Sequence, residues 1–261
     1  MIDTHAHLDF DRYTGEVDDV VARAEAAGVT QIITVGTSLA ASKATAAIAA
    51  RYSSVYPAVG IHPDAAESVD STVLTELRDL AKTERTVAIG ETGIDLFHKE
   101  NPPLKSQRDA FLAQADIAAE LGLPLIVHTR AATTETLESL HAIFAQTTKP
   151  RGAVIHCFEG SQAFADEILK LGLMISFTAT LTYPRNDELR SVAAALPLER
   201  IMLETDAPFL PPQTKRGQRN EPAYVVETAR CLADLKGVSY DELDTITTRN
   251  ARTFFNLDSP A

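Results

Sequence analysis

The sequence predicts an α/β fold, a single (β/α)8 TIM barrel with its functional site at the C-terminal ends of the strands. Short runs rich in β-branched residues alternate with longer Ala-, Leu- and Glu-rich stretches along the 261 residues. Runs such as 31–35 and 125–127 are apolar on both faces, which is typical of parallel strands covered by helices. Barrels of this kind commonly have about 250 residues. No repeat, low-complexity tract or linker divides the chain, so we expect one domain over residues 1–261.

Each expected element follows from local composition and from the residues that end helices. Strands are expected at 1–5, 31–35, 55–60, 87–91, 124–128, 153–156, 173–177 and 200–204. Helices are expected between them at 15–27, 39–52, 69–83, 105–121, 133–146, 161–171 and 186–195, and then at 222–235, at 239–248 and in a short closing helix up to 255. Gly28, Gly122 and Gly172 each follow a helix, where a left-handed residue ends the last turn. Ser161 is placed to cap the helix that begins there.

A doubly wound parallel sheet is the competing architecture. Such a sheet normally carries a glycine-rich phosphate loop after its first strand, and here that place is held by His5-Ala6-His7. We favour the barrel because its active site is built from the C-terminal ends of many strands. Polar residues of this chain fall at those places.

Composition limits the classes of function. The 24 Lys and Arg residues face 36 Asp and Glu residues, so a net charge of −12 leaves no broad basic surface for coating nucleic acid. Bound cations and a few arginines can still supply a local positive field. Cys157 and Cys231 have no CxxC partner and indicate free thiols in a reducing compartment. With no signal-peptide pattern or membrane-spanning run, we expect a cytoplasmic protein without membrane contact and with no obligate protein partner evident.

Potential metal ligands stand at the ends of the expected strands. His5 and His7 are separated by one residue, and side chains at i and i+2 of an extended segment point to one face, as chelation requires. The remaining potential ligands are Glu91, His128, His156 and Asp206. Imidazole with carboxylate suits Zn, Mn, Fe or Mg. Because these donors exceed what one tetrahedral ion needs, we expect two ions about 3.5–4 Å apart, bridged by one carboxylate. The sequence therefore predicts a metal-dependent hydrolase.

The local sequence around these residues resembles the TatD family of metal-dependent deoxyribonucleases, a branch of the amidohydrolase-like barrels. The matching segments are DTHAH at 3–7, VGIHP at 59–63, IGETGID at 89–95, VHTR at 127–130, HCF at 156–158, LETDAP at 203–208, RGQRNEP at 216–222 and NA at 250–251. They cover essentially the whole chain in the right order. Departures are Asp64 where many relatives have His, Leu96-Phe97 in place of an aromatic pair, and Glu159 in place of Ser.

The resemblance implies a two-metal site and the role of each residue in it. One ion would be held by His5, His7, Glu91 and Asp206, and Glu91 would bridge to a second ion held by His128 and His156. Mg or Mn is usual in the family, while Zn, Fe or Co stays open. Glu91 and Asp206 would be catalytic, with Asp206 orienting or deprotonating the attacking water. Glu204 would support the site from behind the ligands.

Several further residues are expected to bind substrate. His62 follows the third strand and is placed to contact a substrate phosphate, with a structural loop role as the alternative. Arg130 and Arg219 are expected to bind flanking phosphates, as are Lys215 and Arg216, because guanidinium and ammonium groups suit them. An ordinary surface or ion-pair role is an equally open alternative for each arginine.

Three functions remain to be separated. The leading one is a metal-dependent 3′→5′ exodeoxyribonuclease that acts on single-stranded or damaged DNA. The alternative is a dinuclear-metal amidohydrolase or esterase that acts on a small molecule or an aminoacyl ester. Many such enzymes bridge their metals with a carboxylated lysine after strand four, but Glu91 holds that place and no lysine ends an expected strand. A barrel without catalysis, serving as a scaffold, is disfavoured because every ligand position is filled.

Overall fold

Eight parallel strands form one closed sheet in the computed structural model, which describes residues 1–83 and 85–257. The strands are β1 (Ile2–Ala6), β2 (Gln31–Val35), β3 (Val55–Val59), β4 (Ala88–Asp95), β5 (Leu125–Arg130), β6 (Ala153–Ile155), β7 (Met174–Phe177) and β8 (Ile201–Leu203). Each strand pairs with the next one in the chain, and a bridge between Ala6 and Ala207 joins the first edge to the last. The predicted (β/α)8 barrel is confirmed.

Helices separate the strands and cover the outside of the barrel. They are α1 (Val17–Ala26), α2 (Leu39–Ala49), α3 (Ser71–Ala81), α4 (Leu104–Leu121), α5 (Thr133–Phe144), α6 (Gln162–Lys170), α7 (Asp187–Ala195), α8 (Val225–Lys236) and α9 (Tyr240–Phe255). The expected caps are present: Ser161 Oγ accepts from the Phe164 amide at 3.3 Å, and Gly122 ends α4 with φ of 66°. Among residues 1–83 and 85–257, no helix is both long and apolar enough to span a membrane.

The separate closing helix expected after residue 248 is wrong, because α9 runs unbroken to Phe255. Its buried residues continue on one face from Leu243 through Asn250 to Phe255. The Asn250 side-chain amide donates to the Ile201 carbonyl at 2.9 Å, which ties this face to the start of β8. Packing against the barrel thus overrides the low helix propensity of the Thr-rich stretch within α9.

The interior of the barrel is apolar at one end and polar at the other. Ile126, Val154 and Met202 belong to one buried apolar cluster, which α9 also contributes to. His128, His156 and Glu204 stand two residues further along the chain, His128 within β5 and the other two directly after β6 and β8. Side chains two residues apart in extended chain share one face, here the inward one. The apolar layer closes the amino end of the barrel, and the polar side chains that could bind a metal or substrate lie at the carboxyl end.

Strands β4 and β5 are longer than the sequence indicates. Their register shifts after Ile89 and then continues with Gly93 opposite His128 and Asp95 opposite Arg130. Glu91 and His128 consequently lie within strands and not at strand ends, which corrects the expected boundaries at 91 and 128. Rigid strand backbone on both sides of these residues fixes the direction of their side chains.

Candidate metal centre

His5 and His7 converge as their spacing predicts. Their Nε2 atoms are 3.2 Å apart, and both side chains are buried. His7 Nδ1 lies 2.9 Å from the Val35 carbonyl oxygen. Because a carbonyl only accepts, the His7 proton belongs on Nδ1 and leaves the Nε2 lone pair directed into the site.

Two carboxylates complete this first group of donors, Glu91 from β4 and Asp206 from the loop after β8. Glu91 Oε2 is 3.4 Å from His5 Nε2 and 3.7 Å from His7 Nε2. Asp206 Oδ1 is 3.4 Å from His7 Nε2 and 3.8 Å from His5 Nε2. The Asp206 amide donates to the His5 carbonyl at 2.9 Å, so the loop after β8 is fixed directly to β1.

A second group of donors surrounds the other oxygen of Glu91. His128 Nδ1 and His156 Nε2 each lie 2.7 Å from Glu91 Oε1, and these two nitrogens are 3.2 Å apart. His62 Nε2 is 3.7 Å from the same oxygen. The two oxygens of one carboxylate thus face two different sets of imidazoles.

Carboxylates stand behind the rings of the second group. Glu204 Oε1 lies 3.5 Å from His156 Nδ1 and accepts from the Cys157 amide at 2.6 Å. Asp95 Oδ2 lies 3.5 Å from His128 Nε2. Asp95 is not among the predicted site residues, although it stands four residues after Glu91 on the same strand and the register with β5 brings it to His128.

A buried aspartate that is also absent from the predicted site residues joins the first strand to the loop after the last one. Asp3 accepts from the Thr205 amide at 2.9 Å through Oδ1 and from the Thr205 hydroxyl at 2.6 Å through Oδ2. Burial raises the pKa of Asp3 to about 8, and the hydrogen bonds from Thr205 offset only part of this effect. This contact links the start of β1 to the loop that carries Asp206.

The electrostatics of the cluster suit a divalent cation. Burial opposes the charge on Glu91, yet His156 and His62 foremost hold the pKa of this carboxyl well below its usual range. Burial likewise opposes protonation of His156, but Glu91 and Glu204 hold its pKa well above the ordinary value. The buried, ionised carboxylates therefore favour a positive charge beside them. Without a metal cation, protonated imidazoles such as His156 have to provide that charge. Nitrogen and carboxylate donors with inward lone pairs are the set that a divalent metal takes.

The basic residues predicted to bind substrate are placed differently from one another. Arg130 lies at the rim, with its guanidinium carbon 4.2 Å from the centroid of the Phe97 ring. Lys215 Nζ lies 5.5 Å from the centroid of the Tyr224 ring, and the guanidinium carbon of Arg216 lies 4.7 Å from the centroid of the Tyr183 ring. Arg219 is engaged by carboxylates, at 2.8 Å from Glu16 and 2.9 Å from Glu221. Substrate binding by Arg219 stays a prediction, and its present partners favour a role in holding its loop.

A family model described as TatD related DNase matches residues 2–256. The chain belongs to this family. It is 34% identical over 258 residues to a Bacillus subtilis protein named uncharacterized metal-dependent hydrolase YabD, with 99% of this chain and 100% of that protein covered. It is 37% identical over 268 residues to a Klebsiella pneumoniae protein named 3′-5′ ssDNA/RNA exonuclease TatD, with 99% and 98% covered.

A solved structure supports the same assignment. The YjjV TatD homologue of Escherichia coli superposes with a TM-score of 0.93 at 33% identity, and the match covers 99% of this chain and 98% of that one. The predicted family and the predicted enzyme class are confirmed. The protein is a metal-dependent hydrolase of the TatD family.

Proposed function

We propose that the protein is a 3′→5′ exonuclease that hydrolyses phosphodiester bonds of single-stranded or damaged DNA. One observation carries the proposal: the two oxygens of Glu91 face two separate groups of imidazoles, as a bridging ligand of two cations must. The name of the Klebsiella relative, 3′-5′ ssDNA/RNA exonuclease, supports this substrate class and adds RNA as a second polymer to compare.

The proposed ligands divide between two ions. His5, His7, Glu91 and Asp206 would hold one ion, and Glu91, His128 and His156 would hold the other. We expect Mg or Mn, with Zn, Fe or Co able to occupy the same donors. Two bound cations would lower the pKa of a water and stabilise charge on the oxygens of the phosphodiester.

The chain's own residues position the substrate and handle the proton. Burial opposes ionisation of Asp206, but the neighbouring His7 and His5 side chains lower its pKa, so the carboxylate is ionised and available as a proton acceptor. His62 is directed toward the Glu91 oxygen that faces His128, where its Nε2 can donate to a phosphate oxygen. Arg130, whose guanidinium lies over the Phe97 ring at the rim, would bind the next phosphate. Asp95 and Glu204 would hold the rings of His128 and His156.

The test uses metal-loaded protein and a 5′-labelled single-stranded oligonucleotide. The proposal expects a ladder of products shortened from the 3′ end, with matched duplex and RNA substrates compared under the same conditions. Glu91→Gln is the matched control, because it keeps the size of the side chain and removes the charge that both donor groups share. An intact oligonucleotide with Mg, Mn, Zn and Co alike would refute the proposal. Turnover of a lactone, dihydroorotate or aminoacyl ester instead would establish the amidohydrolase alternative.

A further inference from the structure

The large apolar side chains that are exposed in residues 1–83 and 85–257 all lie at the mouth of the barrel. They are Leu96, Phe97 and Phe209, and Phe97 is the most exposed at 58%. Leu96 and Phe97 follow β4, while Phe209 comes three residues after Asp206. Single exposed apolar residues are common on proteins, but their gathering around the metal-binding groups calls for a ligand with apolar faces.

The first aromatic group, Phe97 with Arg130, is fixed to the second group of donors. The Phe97 amide donates to Asp95 Oδ1 at 2.8 Å, and Asp95 Oδ2 stands 3.5 Å from His128. The guanidinium of Arg130 covers one side of the Phe97 ring at 4.2 Å. Arg130 Nη1 is also 3.2 Å from His98 Nε2. One face of the Phe97 ring is covered by Arg130, and the other face is open to a ligand. Because the ring is already held in place, a ligand that stacks on it costs little further side-chain entropy.

The second aromatic group, Phe10 with Phe209, stands beside the first group of donors. The Phe209 amide donates to the Asp206 carbonyl at 2.9 Å, and the two phenyl rings meet edge to face with centroids 5.3 Å apart. The His7 ring lies 5.1 Å from Phe10 and 6.2 Å from Phe209. Arg12 is placed over the Phe209 ring at 5.6 Å, so this group also combines a cation with an aromatic face.

The two groups lie on opposite sides of the metal-binding residues. In the closed order β1 to β8, the β8–β1 junction that bears Phe209 and Phe10 is diametrically across from the β4–β5 junction that bears Phe97 and Arg130. A phosphodiester at the centre has one nucleoside on each side, and an unpaired base can turn its flat face to an aromatic ring. An arginine beside each ring supplies the charge that the neighbouring phosphates require.

We propose that Phe97 and Phe209 are base-stacking platforms that receive the two nucleobases flanking the scissile phosphodiester. The inference rests on the proposed nuclease function and extends it: the substrate is recognised by unpaired bases on both sides of the bond, whatever their identity. Every base has a π-face, so such platforms tolerate any sequence. Bases that are paired and stacked in a duplex cannot occupy both platforms together.

The experiment compares Phe97→Ala, Phe97→Trp and Phe97→Leu in the metal-loaded enzyme, and the same three changes at Phe209. Substrates are a single-stranded oligonucleotide and the base-free diester methyl p-nitrophenyl phosphate. We expect the ratio of kcat/KM for the oligonucleotide to kcat/KM for the base-free diester to fall about tenfold in each Ala variant. Trp should restore the ratio, and Leu, which keeps apolar volume without a π-face, should not.

Oligonucleotides with one abasic residue on either side of the terminal phosphodiester locate each platform. The Ala variant and the wild type should cleave at equal rates when the base that stacks on the altered ring is missing. Unchanged ratios in both Ala variants, or losses that neither abasic position removes, would overturn the platforms while leaving the nuclease function intact. Wild-type protein that hydrolyses the base-free diester but no oligonucleotide would instead refute the proposed function.

Discussion

Gly93→Ala should loosen the β4–β5 pairing on which the second group of donors depends. Gly93 has φ of 143°, and a Cβ built there would lie 2.0 Å from the His128 carbonyl oxygen. Carbon and oxygen do not approach so closely, and the two strands must separate by more than about 1 Å. Overpacking costs about 1–3 kcal/mol, and strain at this φ costs about 1–3 kcal/mol more. The free energy of unfolding should therefore fall by about 2–6 kcal/mol.

Gly122→Ala is the matched control for this change. Gly122 also has a positive φ, of 66°, but no atom lies within 4 Å of a Cβ built there. Only backbone strain of about 1–2 kcal/mol remains. At about 2–4 °C per kcal/mol for a chain near this size, Tm should fall by about 4–24 °C in Gly93→Ala and by about 2–8 °C in the control. Thermal unfolding followed by circular dichroism at saturating metal measures both, and equal shifts in the two variants would refute the steric reasoning.

Four further outcomes follow from the site and its surroundings. Glu91→Gln should reduce kcat by at least about 10³-fold in the oligonucleotide assay, because both groups of donors lose their shared charge; near wild-type turnover would remove Glu91 from the bridging role. Arg130→Ala should raise KM and reduce the salt dependence of DNA binding. Arg219→Ala should lower Tm because its ion pairs with Glu16 and Glu221 are lost; a reduced salt dependence as well would support phosphate binding by Arg219, and an unchanged one would remove it from the substrate groove. Burial opposes the charge on Glu221, but hydrogen bonds from Arg23 and Arg219 lower its pKa. The contribution of the ionised Glu221 to the free energy of unfolding is therefore fully present above the unfolded pKa of about 4.3 and is lost as pH falls through the lowered folded pKa. The difference in urea stability between wild type and Glu221→Gln should accordingly be present at pH 7 and disappear in stronger acid, and a gap that persists there would contradict the ion-pair explanation. Metal removal by a chelator should lower Tm, since an ion present at 100 times its Kd contributes about 2.7 kcal/mol, and an unchanged Tm would indicate that the donors bind no ion.

The sequence predicts the architecture well because its signals are local. Apolar runs such as Gln31–Val35 are buried throughout, and a glycine such as Gly122 ends its helix in the left-handed region. The spacing of His5 and His7 likewise fixes their convergence without knowledge of the rest of the chain. Element type and order follow from such short-range patterns.

Contacts between distant segments could not be predicted in the same way. Asp95 meets His128 only because the β4–β5 register shifts, and a register shift leaves no mark in composition. The partnership of Asp3 with Thr205 depends on closure of the barrel across 202 positions. Arg219 also meets Glu16, a residue 203 positions away that no local pattern connects to it.

The junction between the first and last strands also determines when the first group of donors can assemble. His5 lies at one side of this junction and Asp206 at the other, held together by the 2.9 Å contact between the Asp206 amide and the His5 carbonyl. A chain still emerging from the ribosome can present the early histidines before Asp206, which stands beside them in the folded protein, has been synthesised. The first group of donors therefore has to wait until synthesis has passed the eighth strand, and its assembly becomes a late step in biogenesis.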